Sequence, residues 1–266
     1  MNYKVGFIGC GNMASAIMGG LINNANIKPE EIIAADALQV ALDKASANLK
    51  INTTTDNCKV ASNCDILFLS VKPQFYETVI SEIKDCIKPS QIIITIAPGK
   101  TLSWLAERLG DNVKIVRTMP NTPALVGEGI TGVCKNSLVT YEEFVYVMSL
   151  LGSFGLAEEI SENLMDVVVS VSGSSPAYVF MFIEAMADAA VLDGMPRNKA
   201  YTFAAQAVLG SAKMVLETGK HPAELKDMVC SPAGTTIEAV RVLEEKGFRS
   251  SVIEAMKACT DKSRSL

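Results

Sequence analysis

The chain of 266 residues contains one histidine, His221, and one tryptophan, Trp104. A single imidazole excludes a metal centre built on several histidines, and any His–Ser or His–Cys catalytic pair would have to use His221. That residue precedes Pro222 between two helical stretches, a context that reads as a surface turn. None of the seven cysteines stands in a C-x-x-C pair, which removes the usual zinc and dithiol motifs. Their odd, scattered set suits reduced thiols, and the expected location is cytoplasmic. Basic charge is short as well: 24 Lys+Arg against 29 Asp+Glu give a net charge of −5, without the footprint of a nucleic-acid binder. No uninterrupted apolar run reaches the roughly 18 residues of a membrane span. The nearest, 177–192, is broken by Glu184 and Asp188, so no membrane partner is expected. The first residues enter a strand at once, and no signal peptide is expected.

What is present is apolar material for a sizeable core, 49% of the residues against 20% charged. Residues 5–17 (VGFIGCGNMASAI) run from an apolar strand through a glycine turn into a helix. Gly9, Gly11 and Ala14 carry the G-x-G-x-x-G/A dinucleotide fingerprint. Gly9 serves a tight turn, Gly11 the close approach of a pyrophosphate, and Ala14 the packing of helix on strand. The helix N-terminus offers unpaired N–H groups and a positive dipole end. A second apolar run, 32–35, ends at Asp36, where a ribose-binding carboxylate belongs. A glycine triplet alone is an ordinary turn; this context makes it a nucleotide site.

The first half alternates strands (3–8, 31–35, 66–71, 92–96, 113–118, 130–134) with helices (12–21, 40–49, 74–85, 102–109, 141–151). Near-continuous apolar strands separated by helices predict an α/β fold with a parallel, doubly wound Rossmann-type sheet. After about residue 164 the strand signals stop. Five helices follow, over 176–192, 196–218, 222–229, 236–246 and 251–264. The expected domains are therefore 1–164, binding the dinucleotide, and 165–266, helical. The first two helices of the second part are rich in Ala, Met and Phe and apolar on most sides, so they need cover. A second subunit is the natural one, and an obligate homodimer through this domain is expected.

Ligands of open α/β sheets bind beyond the carboxyl ends of the strands. Val71-Lys72-Pro73, the Ala97-Pro98-Gly99 loop and Met119-Pro-Asn121-Thr-Pro123 sit at three such ends. Each alone is more simply a solvated or proline-forced turn; together they surround the glycine crevice. In the helical half, 172–178 (SGSSPAY), with Ser174, reads as a linker and cap. The loop Ser231-Pro-Ala-Gly234-Thr235-Thr236 reads as a capping box of Thr235 with Glu238. Thr236 would then be the first helical residue, its hydroxyl free beside N–H groups suited to a small carboxylate.

These motifs, with residues 7–13, 71–73, 119–124, 171–178, 184–189, 225–227 and 231–238 in order, make the chain closely similar to pyrroline-5-carboxylate reductases nearly end to end. The resemblance implies reduction of the cyclic imine 1-pyrroline-5-carboxylate to L-proline with NAD(P)H, the last step of proline biosynthesis. It also implies a Rossmann domain, a helical domain interlocking two subunits, and often a ring of dimers. Carried over by motif, Gly9, Gly11, Asn12, Met13, Asn57, Val71, Lys72, Pro73 and Ala97 would hold the cofactor. Ser231, Gly234, Thr235 and Thr236, with Asn121 and Ser174, would hold the substrate. Two positions depart from the family pattern: Ala233 stands where a second glycine is common, and Pro98 where a smaller residue is usual.

Hydride transfer is the cofactor's chemistry, and an iminium needs no histidine to be electrophilic. Thr236 is expected to hydrogen-bond the ring nitrogen and aid proton delivery. Asp36 accepts ribose hydroxyls and repels a 2′-phosphate, and the first arginine is Arg108, so NADH is favoured over NADPH. Two alternatives stay open: a different small imine or keto acid, or a nucleotide-binding protein without catalysis.

Overall fold

The computed structural model describes residues 3–265. The chain forms two compact units, one comprising the residues up to Ser174 together with those from Cys259 onward, the other Ser175–Ala258. The expected boundary at 164 marks where strands end; compactness divides the chain ten residues later.

In the first unit the order is β1 (Tyr3–Ile8), α1 (Asn12–Asn24), β2 (Ile32–Ala35), α2 (Gln39–Leu49), β3 (Asn52–Thr54), α3 (Asn57–Ser62), β4 (Cys64–Leu69) and α4 (Tyr76–Ile83). There follow β5 (Ile92–Thr95), α5 (Leu102–Leu109), β6 (Lys114–Met119), β7 (Gly129–Lys135), α6 (Tyr141–Leu151), β8 (Gly155–Glu159) and the short α7 (Met165–Val168). The eight strands line up as β3-β2-β1-β4-β5-β6-β7-β8. From β3 to β6 the sheet is parallel, as expected; β7 then pairs antiparallel with β6 and carries β8 parallel beside it. The sheet is thus mixed rather than all-parallel, an antiparallel strand needing only the short connection 120–128 after β6.

The central strands are buried over most of their length because helices cover both faces. One apolar layer joins Phe7, Phe68 and Ile94 to Ile17, Leu42 and Phe144. The other joins Ile8, Leu67 and Ile93 to Val60, Tyr76 and Leu105. Phe7 and Phe68 stack across the β1–β4 pair with centroids 4.7 Å apart. Local chemistry starts the helices: Asp56 accepts from the Lys59 N–H, Thr101 from the Trp104 N–H, and Thr140 with Glu143 forms a capping box on α6.

The second unit holds α8 (Ser175–Leu192), α9 (Arg197–Thr218), α10 (Pro222–Val229), α11 (Thr235–Glu245) and most of α12 (Phe248–Arg264). His221 accepts from the Ala223 N–H and so caps α10, consistent with its reading as a turn residue. Within the unit α8 buries Ala187 alone, leaving Phe180, Met181, Phe182 and Leu192 exposed. By length and composition the helical stretch Glu162–Leu192 is able to cross a membrane, which the broken apolar run in the sequence did not suggest. A covered protein face meets the same criterion.

One cysteine expectation is corrected. Cys58 and Cys86 are disulfide-bonded, their Cα atoms 5.7 Å apart, while Cys10, Cys64, Cys134, Cys230 and Cys259 are free. Spacing along the chain does not reveal this pair; α3 and the turn Lys84–Cys86 after α4 bring it together.

Candidate active site

The register of the parallel strands places one row of residues level: Thr54, Ala35, Ile8, Leu69 and Thr95 pair successively across β3-β2-β1-β4-β5. The residues that follow each therefore emerge at one edge. These are Asn57 after β3, Asp36 after β2, Gly9 after β1, Val71 and Lys72 after β4, and Ala97 after β5. The chain leaves β1 for β2 and β3 on one side and returns to β4 on the other, so Gly9 lies at the topological switch point.

The glycine turn is shaped for close approach. Gly9 has φ +102°, and a Cβ there would lie 2.6 Å from the Ser70 carbonyl oxygen. At Gly11 a Cβ would meet nothing within 4 Å, so this position opens outward. Gly11 is also the N-cap of α1, which has no side-chain cap and no acidic residue in its first turn. The end of α1 is thus free to receive an anion. One buried side-chain oxygen lacks a partner among the described residues: Ser70 Oγ, beside this turn. A glycine cradle, an uncapped helix end and an orphaned hydroxyl fit a dinucleotide.

Asp36 holds the turn from β2. Its Oδ2 accepts from the Cys10 N–H at 2.8 Å and its Oδ1 from the Leu38 N–H at 2.9 Å. Burial and the Asp36 charge push the Cys10 thiol up to about 12, leaving it an inert packing group. Asn12 and Cys10, with Ser15, Lys44, Asn48 and Leu125, line a cavity of about 240 Å³ between α1 and α2. Met13 packs against the core. Lys72 is exposed and Pro73 opens a 3₁₀ turn after it.

Beneath the crevice lies a brace not anticipated from the sequence. The fully buried Tyr76 donates to the Leu69 carbonyl at 2.6 Å and shares a 2.8 Å hydrogen bond with Thr95 Oγ1. Burial pushes the Tyr76 pKa up and keeps the hydroxyl neutral. The Ala97 N–H reaches the same Thr95 oxygen at 3.4 Å. One phenol therefore ties the ends of β4 and β5, from which Val71 and Ala97 emerge. An apolar stripe with a tyrosine in it reads from sequence as core alone.

The residues expected to meet the substrate fall in both units. In the first, Asn121 is buried with both ends of its carboxamide engaged, accepting from the Ile130 N–H and donating to the Ser172 carbonyl. The Ser174 hydroxyl lies 3.3 Å from Cys259 Sγ. In the second unit Ser231, Gly234, Thr235 and Thr236 form the tight turn into α11, closed by the Gly234 N–H on the Ser231 carbonyl. Ala233 turns the corner with φ +57°, a left-handed conformation that explains why a glycine suits this position. The expected capping box does not form. Gly234 is the N-cap, Thr235 is already helical, and Glu238 pairs with Arg241 instead. With the turn at Ala233 the helix starts one residue early, and no side chain caps it. Both threonine hydroxyls stand beside unpaired backbone N–H groups, an anion-binding arrangement.

Fold and turn together define a dinucleotide-dependent oxidoreductase. The family model described as NADP oxidoreductase, coenzyme F420-dependent, matches residues 4–99, and that described as pyrroline-5-carboxylate reductase dimerisation matches residues 162–266. Over the whole chain the sequence is 56% identical to pyrroline-5-carboxylate reductase of Escherichia coli, covering 99% of that protein, and 44% identical to that of Methanosarcina acetivorans, covering 98%. The crystal structure of Plasmodium falciparum pyrroline carboxylate reductase with NADP bound is similar at a TM-score of 0.91 and 35% identity, covering 99% of this chain and 98% of that one. The chain belongs to the pyrroline-5-carboxylate reductase family.

Proposed function

We propose that the protein reduces 1-pyrroline-5-carboxylate to L-proline with NAD(P)H, the last step of proline biosynthesis. The observation that carries this reading is the uncapped start of α11, where two threonine hydroxyls stand beside free N–H groups. When bound, the reduced dinucleotide supplies the hydride. Gly9, Gly11, Asn12 and Met13 admit its pyrophosphate to the end of α1; Val71, Lys72, Pro73 and Ala97 line its nicotinamide half, and Asn57 and Asp36 its adenosine half. The N–H groups at Gly234, Thr235 and Thr236, with Ser231, hold the substrate carboxylate. The Thr236 hydroxyl hydrogen-bonds the ring nitrogen and keeps its proton in place while the carbon is reduced.

NADH is the preferred reductant in this reading. Both Asp36 oxygens are fixed by backbone N–H groups, so the carboxylate stays where a 2′-phosphate would have to sit. NADPH is the second reading, favoured by Lys44 on the cavity beside the turn. The apolar α8 and α9 faces, with Phe180, Met181, Phe182, Tyr201 and Phe203 exposed, pair with a second copy, and such dimers assemble into a ring. Five free thiols suit a cytoplasmic enzyme.

The test is oxidation of NADH and of NADPH with a panel of imines and keto acids. The five-membered imine should lead, and kcat/KM should be higher with NADH. Leadership by another substrate, or binding without turnover, would overturn the reaction; an equal or higher kcat/KM with NADPH would overturn the cofactor choice. Sedimentation as a monomer at low micromolar concentration would refute the dimer.

A further inference from the structure

We propose that Cys58 and Cys86 form a thiol–disulfide exchange site that sets the affinity for the dinucleotide, with low-molecular-weight thiols and disulfides as its reagents. The inference rests on Asn57 meeting the cofactor, as argued above.

The first turn of α3 is held to the α4 segment twice. Asn57 Nδ2 donates to Glu82 Oε2 at 2.7 Å, and its neighbour Cys58 is bonded to Cys86, just past the end of α4. The segment enclosed by the disulfide, whose cysteines lie 28 positions apart, carries β4, the turn of Val71, Lys72 and Pro73, and α4. A single covalent link therefore ties the start of the adenosine-side helix to the turn that ends α4, the helix that follows the strand and turn on the nicotinamide side. The two cysteines are half-buried, within reach of small reagents. Of the five free cysteines, Cys10, Cys64 and Cys134 are buried and held protonated by that burial; Cys230 and Cys259 are as accessible as the pair but are not bonded to another cysteine. In a reducing compartment a disulfide is characteristically a switch rather than a staple.

The exchange balances without the cofactor. On oxidation each thiol loses a proton, the two sulfurs bond, and two electrons pass to a small disulfide, which leaves as two thiols carrying those protons. A dithiol reverses the step. In the reduced form Asn57 keeps only its hydrogen bond to Glu82, and that bond lies in solvent, where such bonds hold weakly. Ordering about one residue's backbone then falls on cofactor binding, which should weaken by about fivefold to tenfold.

The experiment uses the full-length protein equilibrated with glutathione disulfide or with dithiothreitol. The readouts are the Kd for NADH by nucleotide fluorescence and the thiol count after denaturation. Expected are five thiols and tight binding in the first sample, seven thiols and a Kd raised about fivefold to tenfold in the second, and recovery on reoxidation. Cys86→Ser should show the weaker Kd in both conditions; the reversible change in the unsubstituted protein carries the test even if that variant folds poorly. Seven thiols in the oxidised sample, or one Kd for both states, would overturn the proposal. Asn57→Ala separates the two readings. If it leaves the oxidised Kd unchanged, the assignment of Asn57 and the route argued from it both fall; if it weakens binding while redox state does not, the exchange site falls alone.

Discussion

Removing one oxygen from Tyr76 should cost more than any surface change in the chain. The hydroxyl is fully buried, donates to the Leu69 carbonyl at 2.6 Å and meets Thr95 Oγ1 at 2.8 Å, with Leu69 and Thr95 equally inaccessible. Tyr76→Phe leaves both oxygens without that partner. A buried polar group stripped of its hydrogen bond costs about 1–3 kcal/mol. The Thr95 oxygen keeps only the long contact to the Ala97 N–H, so the sum should be about 2–4 kcal/mol. For a unit of this size each kcal/mol moves Tm by roughly 2–4 °C, giving a drop of roughly 4–16 °C. The assay is thermal unfolding by circular dichroism at fixed protein concentration, since subunit association makes Tm concentration-dependent. Because the ends of β4 and β5 carry Val71 and Ala97, KM for the cofactor should rise while kcat changes little. A Tm within about 2 °C of the parent, together with an unchanged KM, would refute the brace.

Ala233→Gly relieves a left-handed alanine at φ +57° and should stabilise the protein by about 0.5–1 kcal/mol, the strain removed less the added freedom of the unfolded glycine; a lower Tm would contradict this. Gly9→Ala brings a Cβ within 2.6 Å of the Ser70 carbonyl at φ +102°, so NADH binding measured by calorimetry should be lost, and retained affinity would argue against the close-approach role. Burial alone would push the Glu143 pKa up, but the Lys114 ammonium and the Thr140 cap hold it below the usual range. A depressed carboxylate contributes stability that is complete above its unfolded pKa of about 4.3 and fades as pH falls through the folded value. Glu143→Gln should accordingly melt earlier at pH 7, with the gap narrowing as pH falls below about 4; a Tm gap that does not change with pH would exclude the charge.

The parts of the fold that were legible in the sequence are those where one residue has one physical reason to be there. Gly9, Gly11 and Ala14 mark the turn, and the apolar runs of β1, β2, β4 and β5 mark a sheet covered on both faces. β3 (Asn52–Thr54) escapes because it is three polar residues on an edge, and β8 (Gly155–Glu159) because two of its five are glutamates. At the candidate site the sequence places Asp36 and Val71 at strand ends, and the structure has both just beyond β2 and β4. Thr235 and Glu238 satisfy the capping-box pattern, yet the corner at Ala233 starts the helix too early for it to form. Tyr76, Ser70 and the Cys58–Cys86 pair stayed hidden because their roles arise from neighbours 19 to 28 residues away or from a missing partner.

The most direct measurement is steady-state NADH oxidation with 1-pyrroline-5-carboxylate for the parent protein and for Thr236→Ala. The account predicts turnover by the parent and a kcat at least about tenfold lower in the variant, the lower part of the acid–base range, with NADH affinity unchanged. Equal kcat for the two proteins would contradict the role of Thr236, and no NADH oxidation by the parent would contradict the reaction itself.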